Sequence, residues 1–277
     1  MPFDLSGKVA IVTGGSQGTG RGISHCFGEA GAAVVVAARS PGPIDQVVGE
    51  IRDMGGKAIG IPTDVTSPED AKNLIEKTMA EFGRIDTLVN CAGGNFGRNF
   101  RRAPLLELTP EEFDACIALN LKSQFLVSQA AARVMMQQGH GVIINIGSGA
   151  PWHADPTRTG FAFYSTAKSA IPKLTASMAS EWSPTIRVNC VLPGFIENPK
   201  QTPGRRPEII AERVKSIAAQ RQGQPKDVGN MCVFLSTDDA SFVDGTTIEV
   251  TGGRRNTEPL ALMAAEDPTA AKAGVVG

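Results

Sequence analysis

Short apolar runs recur along the chain at Val9–Val12, Ala33–Ala38, Lys57–Ile61, Asp86–Asn90, Gly141–Gly147, Ile186–Leu192 and Thr246–Val250. Val9-Ala10-Ile11-Val12 shows no polar alternation, which predicts a strand buried on both faces and therefore a parallel neighbour on each side. Longer stretches with helical spacing lie between the runs. One opens near Thr19, and others span Ile44–Met54, Pro68–Phe82, a long segment from about Pro110, Phe161–Glu181, Pro207–Ala219 and Pro225–Leu235. Strands and helices alternating at these lengths predict a doubly wound α/β domain, with a central parallel sheet of about seven strands flanked by helices. Pro172 falls inside one helical span, where a kink or a lost hydrogen bond is expected. The domain is expected to cover residues 1–253. Residues 254–277 are Ala-rich without an apolar period, and read as a tail that is disordered or reaches a neighbouring subunit.

The first strand runs directly into Thr13-Gly14-Gly15-Ser16-Gln17-Gly18-Thr19-Gly20. A strand, a glycine turn and a helix start form an anion site. The glycines let the backbone approach a pyrophosphate, and the helix N-terminus offers free N–H groups and the positive end of its dipole. The spacing is TGxxxGxG, not GxGxxG, and an ordinary strand-to-helix turn also uses glycine. Gly14, Ser16, Gln17, Gly18, Thr19 and Gly20 are the candidate contacts. At the tip of the second strand, Ala38 stands where a ribose 2′-OH would be met by Asp or Glu. Arg39 can offer a fork of donors to a 2′-phosphate there, with Ser40 beside it. That pattern favours NADP over NAD; the alternative is an arginine solvated at a strand end. Asp64, followed by Val65, serves either to accept from an adenine amino group or to cap its turn. Asn90, Ala92 and Gly93 end the fourth strand in small residues that admit a ligand close to the backbone.

Tyr164 is the only tyrosine of the chain, and Lys168 follows it at i+4. On a helix these side chains share a face, and an adjacent ammonium favours the phenolate. Such a phenol can exchange a proton with a substrate oxygen. Ser148 ends the fifth strand, on the side where open α/β sheets bind ligands. Asn120 lies within the long helix and needs hydrogen-bond partners if it is buried.

Length and composition agree with this reading. The chain has 277 residues, 42% hydrophobic and 20% charged, with a formal net charge of −1. That balance gives no overall field to attract nucleic acid or an anionic membrane. Its five cysteines, at positions 26, 91, 116, 190 and 232, form no CxxC pair and read as reduced thiols of a cytoplasmic protein. No metal spacing joins them to the histidines at 25, 140 and 153. Met1 to Lys8 lacks the pattern of a signal peptide, and no apolar stretch approaches the ~20 residues that span a bilayer.

Thr13-Gly14, Gly18, Gly20, Asp64, Asn90-Cys91-Ala92-Gly93, Asn120, Ser148, Tyr164, Lys168 and Pro193-Gly194 occur in one order and on the expected elements. In this the chain resembles the classical short-chain dehydrogenase/reductase family from about Leu5 to Gly253. The resemblance implies a Rossmann-type fold and a nicotinamide cofactor, with Pro193, Gly194 and Ile196 adding contacts to it. It implies a small carbonyl or alcohol substrate, with Tyr164 as acid or base and Ser148 holding the substrate oxygen. Lys168 would bind the nicotinamide ribose and lower the Tyr164 pKa, and Asn120 would hold a water of a proton relay. A homotetramer through residues 105–138 and 161–183 is also implied.

The departures are local. The loop 149–160 is longer than usual, Asn198 stands where Thr is common, and the connection Glu181–Thr185 is short. Gln17 is not the basic residue that some NADP-preferring members carry. Asn90–Phe96 resembles the loop of the 2,4-dienoyl-CoA reductase branch, whose members typically lack the tyrosine present here. A substrate loop over 195–222 is expected. Arg98, Arg101, Arg102, Lys200, Arg205 and Arg206 would border the site, either to receive an anionic or CoA-linked substrate or as solvated loop charges.

Overall fold

The computed structural model describes residues 3–253 except 96, 98, 150–159 and 199–206. Arg98, Trp152, His153, Asp155, Arg158, Lys200, Arg205, Arg206 and the tail 254–277 lie outside the described residues. The strands are β1 (Val9–Thr13), β2 (Ala33–Ala38), β3 (Lys57–Pro62), β4 (Thr87–Asn90), β5 (Gly141–Ile146), β6 (Ile186–Pro193) and β7 (Thr247–Val250). They form one sheet in the order β3-β2-β1-β4-β5-β6-β7, and every pairing is parallel. Five consecutive buried residues in β1 bear out a strand covered on both faces.

Strand alternation sorts the β1 side chains. Ala10 and Val12 face a core shared with α1 (Gly18–Glu29), α2 (Pro41–Asp53) and α8 (Pro225–Leu235). Val9 and Ile11 face the opposite core, under α3 (Pro68–Phe82), α5 (Ser123–Gln138) and α6 (Ala162–Trp182). Helix α1 lies close on α8 because glycines stand at the crossing. A Cβ at Gly229 would come within 2.5 Å of Cys26 Sγ, and one at Gly22 would collide with Pro225.

Two local expectations need correction. The long helix from Pro110 is divided into α4 (Pro110–Ile117), a π turn at Ala118–Lys122 and α5. The helix expected over Pro207–Ala219 ends at Lys215 as α7 (Pro207–Lys215). There Ile217 is buried, and the Ala219 N–H donates to the Gly252 carbonyl at 3.0 Å, which draws the chain toward the end of β7. At Pro172 the expected alternative of a lost hydrogen bond within an unbroken helix is met. Helix α6 continues through it, with Ile171 and Thr175 fully buried on either side, so packing holds the helix where the proline withholds a donor.

Candidate active site

Strands β1 and β4 are neighbours, but the chain leaves them toward opposite halves of the sheet. Such a switch point opens a crevice beyond the strand carboxyl ends. Thr13, the last residue of β1, fixes the far wall of the crevice. Its Oγ1 accepts from the Cys91 N–H at 3.1 Å and the Ala92 N–H at 3.2 Å. Gly14 has φ +66°, and a Cβ there would stand 2.9 Å from Ala92 Cα. Gly18 has φ +50°, and a Cβ on Gly20 would strike the Gly14 carbonyl. Gln17 caps α1 without a side-chain hydrogen bond, and the first turn has no acidic residue. The free N–H groups and the dipole thus meet a concave backbone surface suited to a pyrophosphate. This surface fits a dinucleotide. Ser16 is buried in it, and Thr19 is half-buried at its edge.

At the tip of β2, Arg39 and Ser40 are exposed. No described carboxylate pairs with Arg39 within ion-pair distance. Beside them, Asp64 Oδ1 accepts from the Thr66 N–H at 3.0 Å and the Thr66 hydroxyl at 2.7 Å. Asp64 therefore caps its own turn through Oδ1. Val65 is buried beside it. Asn90 points its side chain into the protein. Its Nδ2 donates to Ser128 Oγ at 2.8 Å and to Asn145 Oδ1 at 2.9 Å, and Asn145 Nδ2 donates to Thr175 Oγ1 at 3.0 Å. This buried ladder ties β4 and β5 to α5 and α6.

The other half of the crevice gathers around Gly93. A Cβ there would stand 2.8 Å from Asn120 Oδ1 and 3.2 Å from Lys168 Nζ. Asn120, in the middle of the π turn, is fully buried. Its Oδ1 accepts from the Gly94 N–H at 2.9 Å, and its Nδ2 donates to the Gly94 carbonyl at 3.0 Å. A π turn places one more residue than an α-helix in its loop and here aims the amide at the β4 tip. Lys168 is buried and donates to the Ile146 carbonyl at 2.8 Å. Burial pushes its ammonium down to about 8, while the thiols of Cys91, Cys190 and Cys116 act in the opposite direction.

Ser148 is buried two residues beyond Ile146. Tyr164 lies one turn before Lys168 on α6, half-buried, with its ring centroid 6.3 Å from that of Phe161. Arg102 lies over the Phe161 ring, its guanidinium carbon 4.0 Å from the ring centroid. Arg101 is held elsewhere: its Nε lies 3.2 Å from Glu112 Oε1, and it donates to the Glu107 carbonyl at 2.9 Å.

Gly194 donates to the Val250 carbonyl, and Gly149 donates to the carbonyl of Pro193, each at 2.9 Å. The β5, β6 and β7 tips are thereby joined. Ile196 then pairs with Gly223, and Asn198 faces Gly18, whose Cβ would stand 3.4 Å from Asn198 Nδ2. Sequence reasoning missed the bracing role of Thr13 and the Asn145–Thr175 link. It also missed Gln124, which donates to the Ile146 carbonyl at 3.0 Å. The one signal for Gln124 was its position one helical turn after Asn120.

Comparison with known proteins agrees with this geometry. The profile of a family described as enoyl-(acyl carrier protein) reductase matches residues 14–255. A 3-oxoacyl-[acyl-carrier-protein] reductase of Thermotoga maritima is 35% identical over 251 residues, covering 90% of this chain and 98% of the relative. The 7alpha-hydroxysteroid dehydrogenase of Escherichia coli is 34% identical over 250 residues, covering 90% of this chain and 94% of that one. A solved 7alpha-hydroxysteroid dehydrogenase in complex with NADH and 7-oxo glycochenodeoxycholic acid superposes with a TM-score of 0.83 at 33% identity, covering 90% of this chain and 95% of that one. The chain belongs to the short-chain dehydrogenase/reductase family of oxidoreductases.

Proposed function

We propose that the chain is an NADP(H)-dependent oxidoreductase that interconverts a ketone and a secondary alcohol, with Tyr164 as its acid and base. One observation carries the reading. Lys168 is buried one turn beyond Tyr164, is bonded two residues before Ser148 and meets Asn120 across Gly93. The nicotinamide, when bound, supplies or accepts the hydride. Ser148 holds the substrate oxygen and stabilises charge developing on it. Tyr164 passes its proton to that oxygen in reduction and takes one back in oxidation. The Lys168 ammonium stabilises the phenolate left behind and binds ribose hydroxyls. Asn120 fixes the wall of the proton path beside Lys168 and is suited to hold a relay water there.

The glycine turn, Asp64, Val65, the 90–93 backbone and Pro193–Ile196 form the proposed cofactor surface. Arg39 with Ser40 supports NADP as the preferred form. The catalytic unit is assigned to residues 1–253. Leu105, Leu106, Phe113, Phe125 and Met136 are exposed apolar side chains within 105–138, which supports a homotetramer through that stretch. Among the described residues, no helix is long and apolar enough to cross a membrane, no group could hold a metal ion, and all five cysteines are free thiols. The free thiols support a cytoplasmic setting.

Tyr164→Phe tests the reaction. Turnover of ketones should be lost while NADPH binding stays within a few-fold of wild type; near-normal turnover refutes the assignment. A panel containing simple ketones, 3-ketoacyl-CoA and 2,4-dienoyl-CoA, run with both cofactors, separates carbonyl from enoyl reduction. Tight NADPH binding without turnover of any member would instead indicate a non-catalytic sensor.

A further inference from the structure

Among the described residues, no carboxylate lies within ion-pair distance of Lys168. The titratable groups whose charge reaches it are Cys91 after β4, Cys116 on α4 and Cys190 on β6, and Tyr164 stands one turn before it on the same helix. Burial pushes all three thiols up, so none is an anion at neutral pH. The contact that fixes the ammonium is the Ile146 carbonyl, and that carbonyl is shared. The β4–β5 ladder stops at Asn90 and Asn145. One residue later, the Ile146 oxygen is met by Lys168 Nζ at 2.8 Å and by Gln124 Nε2 at 3.0 Å.

Gln124 is buried and lies one helical turn after Asn120. Its orientation is settled by chemistry, since its Oε1 would face another acceptor if the amide were turned over. Filling space does not require an amide here, because an apolar side chain of similar volume would do so without bringing polar atoms into the core.

We propose that Gln124 is a positioning residue for Lys168: it holds the Ile146 carbonyl through the second lone pair and so sets the place and hydrogen bonding of the ammonium between Tyr164 and the cofactor ribose. The inference rests on the reaction proposed above. Gln124 limits how much of the carbonyl's acceptor strength Lys168 receives. It also keeps that carbonyl satisfied when the ammonium turns toward the ribose, which removes the penalty for leaving a buried acceptor unpaired.

Two variants test this. Gln124→Met keeps the volume and removes the donor. Gln124→Glu puts an acceptor, and a charge when ionised, next to the shared carbonyl. The first readout needs no turnover: the Lys168 Cε resonance is followed with pH in lysine-labelled apoprotein and assigned with Lys168→Met. The Lys168 midpoint should rise in Gln124→Met, where the carbonyl is left to the ammonium alone. It should rise further in Gln124→Glu, by about 1–3 pH units where the carboxylate is ionised. NADPH affinity should fall about three- to tenfold in Gln124→Met, and kcat should fall with it while KM for the ketone holds.

A midpoint unmoved in both variants, in protein that melts as wild type does, overturns the assignment. It would do so even where ketone reduction is normal, leaving the reaction itself intact. A wild-type chain that binds NADPH but reduces no ketone defeats the reaction instead, and the titration then decides on Gln124 independently. If either variant melts early, the other carries the titration.

Discussion

Gly93 and Asn120 touch so closely that the smallest added side chain would separate them. A Cβ on Gly93 would stand 2.8 Å from Asn120 Oδ1 and 3.2 Å from Lys168 Nζ. Gly93→Ala must therefore push the amide or the ammonium off its place. Overpacking of this kind costs about 1–3 kcal/mol, so the protein should fold with a melting temperature lowered by roughly 2–12 °C. Turnover should suffer more, with kcat reduced at least about tenfold, because displacements near 1 Å are costly in an organised site. Calorimetry and steady-state kinetics on one preparation make the comparison. Wild-type kcat in this variant would show that the Asn120–Lys168 spacing is not part of the machinery.

Lys168 makes the site sensitive to pH on the alkaline side. Burial lowers its ammonium from 10.5 to about 8. Charge at this position is therefore lost as pH rises through about 8, and kcat/KM for reduction should fall there. The linkage has a second consequence. Between about 8 and 10.5 the unfolded chain holds the proton that the folded chain has released, so this group makes the fold more stable as pH rises across that window. Below it, the buried charge costs stability. Lys168→Met should thus unfold no earlier than wild type at pH 7, with its advantage shrinking toward pH 10, while its activity is lost. A Lys168→Met protein whose relative stability improves with rising pH contradicts this account.

The parts of the molecule legible from sequence were those where one residue type has one physical use. Val9–Val12 and Ala33–Ala38 are apolar without alternation because both faces of the sheet are covered. The glycines of the first turn announce a close approach, and Gly14 against Ala92 delivers it. Polar side chains with several possible partners were not legible. Asn90 could face the crevice or the interior, and only the meeting of β4 with β5 supplies Asn145 as its partner. The π turn around Asn120 had no local signal, since Ala118-Leu119-Asn120-Leu121-Lys122 is an ordinary helical sequence. Gln124 acquired its partner only when β4 ended one residue short of Ile146.

Arg39 is the proposed discriminator between the two cofactors. It is exposed at the tip of β2, with Ala38 in place of an acidic residue. A charged hydrogen bond is worth roughly 1.5–3 kcal/mol, and solvent exposure places this one at the lower end, or about a tenfold effect. Arg39→Ala should weaken NADPH by about that factor and leave NADH within twofold. The loss should shrink with added salt, because exposed charges are screened over roughly 8–10 Å. Fluorescence titration with both reduced cofactors reads this directly. If NADH supports the higher kcat/KM in the wild-type chain, the reading of this strand tip is wrong.

Asp86 anchors the opposite end of the sheet, far from the chemistry. It accepts from the Val9 N–H at 2.9 Å, from Arg84 at 2.8 and 2.6 Å, and meets His140 Nε2 at 3.1 Å. Burial alone would push its carboxyl up, but Arg84, the Val9 N–H and His140 outweigh that and hold it below the ordinary value. A carboxylate lowered by folding stabilises the protein above its unfolded pKa of about 3.9 and loses that contribution as pH falls through the folded value. Asp86→Asn retains the size but replaces one acceptor oxygen with an NH₂ facing donors. It should cost about 2–3 kcal/mol at pH 7, toward the low end for a broken buried pair because Arg84 reaches solvent. Denaturant titrations of both proteins at pH 7, 5 and 3 should show the gap holding between pH 7 and 5 and narrowing by pH 3. A gap as wide at pH 3 as at pH 7 would mean that the charge of Asp86 contributes nothing, and that its role lies in shape alone.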